Sequence, residues 1–347
     1  MQKIFIGLAA SALIATTATA NTDNAWMQLD SEIAQLSSTV ASDGGMGVSG
    51  YMANWYTNTS DTTPNTGGWK FKSLRLSFKG SVEDMSVKVS TSLKSGTAVL
   101  KDAYVKWDAV EGLNVTVGQF KRPFSYNFTR SSSRLLFYGN NMNSENEARD
   151  NGFMLSGKLS DDMFEWSAAA QNGDDGTADD QRYTARVVAN LAGKGGFHKH
   201  EGAIDGGDDL DASIGLAYAK DESAATGFDK IGIDGAMTIS GMSLAFDIVD
   251  WSADMPATVL DHNLGTDLDN TTPVSVSGSY MLSDTIEAAA RYEDFDDSAN
   301  STRTTVGVNF YQVLPHKAKW MINYEDTSSD TASLEAQVIR VGLVLSF

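Results

Sequence analysis

The 347 residues include no cysteine, five prolines, four histidines and few positive charges, with 26 Lys and Arg against 45 Asp and Glu. Without cysteine there is no disulfide framework, no thiolate nucleophile and no thiolate metal site. His198, His200, His262 and His316 all fall between the periodic segments described below, and no G-x-S-x-G occurs. A hydrolase needs a serine and a histidine held by an orienting partner, so enzyme chemistry is not expected. His198 and His200 lack a third ligand, so neither a metal nor a cofactor is expected. A net charge of −19 lacks the basic face of a nucleic-acid binder. Beyond residue 20 no run of about 18 apolar residues exists, so no further helix is expected to cross a bilayer. A soluble globular protein satisfies these limits. So does a transmembrane barrel, in which only alternate residues meet lipid.

The sequence opens with MQKIFIGLAASALIATTATA. Lys3 precedes an apolar run from Ile4 to Ile14, and Ala18-Thr19-Ala20 supplies a cleavage pattern. Residues 1–20 are therefore expected to be an export signal removed after Ala20. Over 21–43, Trp26, Leu29, Ile33, Leu36 and Val40 are spaced 3, 4, 3 and 4. That spacing predicts a short helical, coiled-coil-like segment of about two heptads. It is placed in the periplasm, either as a self-associating stem or as a lone amphipathic helix.

From residue 44 to 347 the period becomes two. At the end of the chain Ile339, Val341, Leu343, Leu345 and Phe347 share one face. Val338, Arg340, Gly342, Val344 and Ser346 share the other. Such alternation predicts strands with one apolar face. Sixteen are expected, at 45–58, 69–82, 85–94, 99–109, 113–120, 150–159, 164–171, 181–191, 211–220, 229–240, 242–251, 273–281, 286–295, 302–311, 317–326 and 334–347. Most have about 10 residues, enough for a tilted strand to cross the hydrocarbon core. Short and long connections alternate, as on the two rims of an outer-membrane barrel. Two connections break this rule: 95–98 is short where a long loop is due, and 192–210 is 19 residues long where a short turn is due. The expected fold is all-β: a 16-stranded antiparallel transmembrane β-barrel in outer-membrane lipid. Acid clusters at 172–176 and 205–211 read as solvated loops, or as sites where divalent ions bridge to lipopolysaccharide.

Charge is unevenly placed. Residues 70–134 hold 12 basic and 5 acidic residues, a net of +7, which leaves −26 for the rest. A cation facing lipid costs about 2–4 kcal/mol at the midplane, so the alternation turns these cations inward. Arg75, Lys88, Lys106, Arg182 and Arg186 are expected to form a basic lumen wall. The stretch VGQFKRPFSYNFTRSSSRLLFYGN, 117–140, adds Lys121, Arg122, Arg130 and Arg134 with no acid. It opens the third long connection and carries Phe120, Pro123, Phe124 and Phe128, apolar groups that need cover. Folding into the barrel supplies it, and makes the four cations a candidate constriction for small anions. Arginine binds phosphate through paired N–H groups, lysine as a point charge.

These residues resemble a known family. Val117-Gly118-Gln119-Phe120-Lys121-Arg122-Pro123-Phe124 is similar to the GQFKxPF signature of the phosphate-selective porin O and P family. Ser131-Ser132-Ser133-Arg134 continues the likeness, as does Ala148-Arg149-Asp150-Asn151-Gly152. The resemblance implies a trimer of sixteen-stranded barrels, each with its third long loop folded inward and a basic residue after the serines that binds phosphate. Arg134 matches that position, with Arg130 as the alternative by one extra residue. A general or cation-preferring porin, governed by the acidic remainder, stays open. So does a structural or receptor barrel.

Overall fold

The computed structural model describes residues 46–60, 66–94, 96–145, 148–173, 181–193, 201–222, 227–252, 270–313 and 315–347. The expected signal (1–20) and the helical segment (21–43) lie outside the described residues.

Sixteen strands follow one another: β1 (Gly47–Ser60), β2 (Thr66–Val82), β3 (Met85–Ser92), β4 (Val99–Val110), β5 (Leu113–Lys121), β6 (Arg149–Leu159), β7 (Phe164–Gln171), β8 (Arg182–Ala192), β9 (Asp211–Asp221), β10 (Phe228–Ile239), β11 (Met242–Ser252), β12 (Val274–Ser283), β13 (Ile286–Asp294), β14 (Thr302–Val313), β15 (Ala318–Ser328) and β16 (Ala336–Ser346). They form one closed barrel in sequence order. It is sealed by antiparallel pairing of β1 with β16, from Tyr51↔Ser346 to Ser60↔Gln337. Closure removes the free edges that a membrane cannot solvate. Among the described residues no helix is long and apolar enough to cross a membrane. The expected strands differ from these by at most three residues at any end.

The alternation is physical. On β8, Arg182, Thr184 and Arg186 are buried while Tyr183, Ala185 and Val187 are exposed. The outward set on other strands includes Val87, Val105, Trp107, Phe153, Leu216, Ile233, Leu244, Ile322 and Ile339, all exposed and all apolar. This is the reverse of a soluble protein and fits a surface covered by lipid.

Two glycines set the start of the long inward connection. Gly118 has φ +119°, and a Cβ there would lie 2.3 Å from the Ala103 carbonyl oxygen. It is paired across β5–β6 with Gly152, whose Cβ would lie 2.1 Å from the Ala170 oxygen. No side chain fits either place, which explains the glycines of both motif segments.

The connection 122–148 contains two one-turn helices, α1 (Tyr126–Thr129) and α2 (Met142–Glu145), with a 3₁₀ turn at Ser132–Arg134 between them. Phe124, Tyr126, Phe128, Leu135, Leu136, Phe137 and Met142 are buried. Phe124 packs with Ala217, Ala219, Phe228, Val249 and Trp251 of β9–β11. Leu136 and Phe137 pack with Ala289 of β13. The barrel interior thus covers the apolar groups of this connection.

The overlong connection after β8 is a real elaboration, and the strand count stands. It too turns inward. Glu201, Gly202 and Ala203 are buried, and a 3₁₀ turn spans Ala203–Asp205.

Candidate functional site

The connection 122–148 is held by polar groups of distant strands. The Ser125 hydroxyl accepts from Asn127 N–H at 3.1 Å, capping α1, and donates to Asp247 at 2.7 Å. Tyr126 N–H donates to Asp234 at 3.2 Å. Asp247 also accepts from Asn141 and Asn143, each at 3.2 Å. Met142 N–H donates to Glu293 at 2.7 Å, Tyr138 N–H to Asn323 at 2.7 Å, and Tyr51 O–H to the Ser132 carbonyl at 3.0 Å. An irregular segment can lie inside a membrane barrel only if its backbone groups find such partners.

The nine cations singled out from the sequence divide into two groups. Arg122, Arg130, Arg182 and Arg186 are buried. Arg186 makes two short bonds to Asp234, at 2.6 and 2.7 Å, and donates to the Phe124 carbonyl at 2.6 Å. Arg182 lies over the Phe228 ring at 5.0 Å. Arg122 is 3.4 Å from Asp150. Arg130 is 3.2 Å from Glu201, with both side chains fully buried. Its Nη1 donates to the Tyr126 hydroxyl at 2.9 Å. Burial pushes the Tyr126 phenol up to about 12, so that oxygen stays a neutral acceptor.

Lys121, Arg134, Arg75, Lys88 and Lys106 keep solvent contact. Arg134 ends the 3₁₀ turn. Lys106 is 41% exposed near the short-turn rim and 3.5 Å from Asp108. Lys121 donates to the carbonyls of Phe128, Thr129 and Arg130 at 2.6, 3.3 and 2.5 Å. It satisfies acceptors that the end of α1 leaves open.

The structure brings Lys121, Arg75 and Lys88 together with two cations outside that set, Lys101 and Arg149. Asp102 is the carboxylate they share. It lies 2.8 Å from Lys88 and 2.6 Å from Arg149. Arg75, Arg149, Lys88 and Asp102 are the charges that act on Lys121, and Arg75, Arg149, Lys94 and Asp102 those that act on Lys101. Arg75 Nε has no hydrogen-bond partner among the described residues. Lys101 and Arg149 line a cavity of about 310 Å³ with Leu100, Gln119, Phe128 and Ala148.

Lys101 was hidden by a bulge. Ser90 pairs with Asp102 and Thr91 with Leu100, so Lys101 is the extra residue between two register positions. A bulge re-aims a side chain, and strict alternation assigns adjacent residues to opposite faces. Arg149 had a signal, since it stands in the R-x-x-G segment. Its spatial neighbours, Asp102 and Arg75, lie far away in sequence.

Comparison with known proteins agrees with this architecture. The family model described as phosphate-selective porin O and P matches residues 47–205. No curated protein sequence matches significantly. Among solved structures, the anion-selective porin from Comamonas acidovorans is 12% identical, with a TM-score of 0.60 over 88% of this chain and 100% of that one. Vibrio cholerae OmpT lacking loop L8 is 14% identical, with a TM-score of 0.61 over 88% and 99%. Pseudomonas putida OprB is 10% identical, with a TM-score of 0.67 over 89% and 96%. At these identities the structures share the fold. The resemblance carried by the GQFKRPF stretch is borne out: residues 47–205 match the phosphate-selective porin O and P family model, and the closed sixteen-stranded barrel is the fold of these porins.

Proposed function

We propose that the barrel is a passive diffusion channel favouring small anions, phosphate among them. The observation that carries this reading is the cluster of Arg75, Lys88, Lys101, Lys121 and Arg149 around the carboxylate of Asp102, at the edge of the 310 Å³ cavity. A conducting site must attract an ion without trapping it, and several cations along a path do this better than one deep site. The guanidinium groups of Arg75 and Arg149 suit a phosphate oxygen, and the lysines add charge without fixed geometry. Within the constriction stretch Arg134 lines the pore, and Lys121 adds its charge to the cluster while its ammonium binds three carbonyls of the connection. Arg122 and Arg130 hold the connection in place.

The Comamonas acidovorans porin is described as anion-selective, and Vibrio cholerae OmpT was solved in a trimer form. Both properties are proposed for this chain, together with lipopolysaccharide as its outer-leaflet neighbour. Residues 1–20 are proposed as an export signal and 21–43 as a periplasmic helical segment. The test is phosphate block. Inorganic phosphate, added at constant ionic strength, is expected to lower chloride current through the purified channel. Unchanged current would remove the phosphate reading, and an absence of any conductance would remove the channel.

A further inference from the structure

The connection after β8 belongs to the rim of short turns, yet its residues 201–203 are buried inside the lumen while 207–210 stay exposed at the rim. Ala203 N–H donates to Ser279 Oγ of β12 at 3.1 Å and to Glu287 of β13 at 2.6 Å. Gly202 fits because it has no side chain: a Cβ there would lie 2.3 Å from Glu287 Oε1 and 2.6 Å from Leu136 Cδ2. On the rim side, Ala203, Ile204 and Gly206 border a cavity of about 350 Å³ with Gly241, Met281, Ser283 and Asp284. The segment therefore crosses from the β8–β9 rim to β12 and β13, and meets the long inward connection within the barrel.

The meeting is made by one carboxylate. Glu201 accepts from Leu136 N–H at 2.7 Å and is 3.2 Å from Arg130 Nη2. A guanidinium and a backbone N–H are what an oxyanion site requires. Here the chain's own carboxylate fills it, hydrogen-bonded by Leu136 N–H and paired with Arg130 by charge at a distance without hydrogen-bond geometry. Two consequences follow. The charge of Arg130 is cancelled where it sits, so it adds nothing to the field felt by a passing ion. The two inward segments are also joined, which keeps that side of the lumen filled.

We infer that Glu201 is a selectivity-determining positioning residue: it masks Arg130 and ties the short-rim segment to the long inward connection. Without its partner, a buried charge cannot stay as it is and turns towards water. Losing Glu201 then leaves a cation in the lumen, whereas losing Arg130 leaves an anion. The inference rests on the chain being a channel, and not on which ion the native channel prefers.

The test compares four proteins in planar bilayers under a KCl gradient: the native channel, Glu201→Gln, Arg130→Met and the double variant. Glu201→Gln is expected to shift the zero-current potential towards anions and to raise conductance. Arg130→Met is expected to shift it towards cations. The double variant is expected to return it to the native value, because removing both members of a buried pair leaves no net charge behind. Opposite shifts with a native-like double sustain the inference whatever the sign of the native potential. No shift in either single variant, or shifts of the same sign, would overturn it. If one single variant fails to give a folded, heat-modifiable barrel, the other and the double still decide the sign. A native channel that does not prefer anions would contradict the proposed function alone.

Discussion

On β2–β6 the lumen carries Arg75, Lys88, Lys101, Lys121 and Arg149 around the carboxylate of Asp102. On β8–β15 it carries Arg182, Arg186, Lys230, Arg291, Arg303 and Lys319, with Asp234, Asp247, Glu287 and Glu293 buried among them. The second group is spent on structure. Arg291 and Arg303 converge on Glu293 at 3.1 and 2.7 Å, while Lys230 lies 4.2 Å from the ring centres of both Phe124 and Trp251. Each of these contacts helps to seat the inward connection or the wall behind it. The first group has an excess of cations and an adjoining cavity. The same residue types thus anchor on one side and, in the function proposed, face the permeation space on the other. What separates the roles is the local count of carboxylates, because charges more than about 8–10 Å apart in salt water hardly interact.

The contrast can be broken most severely on the paired side. Arg186→Met leaves Asp234 buried without its bidentate partner. It is expected to cost about 3–5 kcal/mol, read as a lower unfolding midpoint in detergent. Combining it with Asp234→Leu should recover most of that loss. Equal instability of the single and double variants would mean that the pair is not what seats the connection.

A smaller effect, read as selectivity, is expected on the open side. A unit charge about 8 Å from a permeating ion in a water-like medium is worth about 0.5 kcal/mol, a factor of about two. Each lost charge weakens anion entry and eases cation entry by about that factor, so Arg149→Gln with Lys101→Gln should lower the anion-to-cation permeability ratio by a factor of about sixteen. An unchanged ratio would place the selective field elsewhere. Raising the salt to 1 M should shrink the native preference, since the screening length falls to about 3 Å. The smallest effect belongs to Lys106→Gln. That side chain is 41% exposed beside Asp108, and about 0–1 kcal/mol of stability and no change in ion preference are expected.

Much of the barrel was legible because a two-residue period is local. Val87, Val89, Lys88 and Ser90 declare their faces without knowledge of any partner. The Phe-rich stretch also declared its need for cover, since Phe124 and Phe128 have no place on a solvated loop. The division of labour among the cations was not legible. Arg186 finds Asp234, 48 positions on, and Arg130 finds Glu201, far along the chain in another connection; nothing in a local pattern joins them. Lys101 was hidden for another reason, a bulge that breaks the period at that residue. The length of 192–210 was visible as an anomaly. Its inward course depends on Glu287, Ser279 and Arg130, which only the closed barrel brings near.

The most direct measurement is the zero-current potential of the purified native protein in a planar bilayer under a KCl gradient. If the open cluster on β2–β6 governs permeation, the potential reports anion preference. A potential reporting cation preference would contradict this, and would show that the −26 carried outside residues 70–134 controls the channel instead.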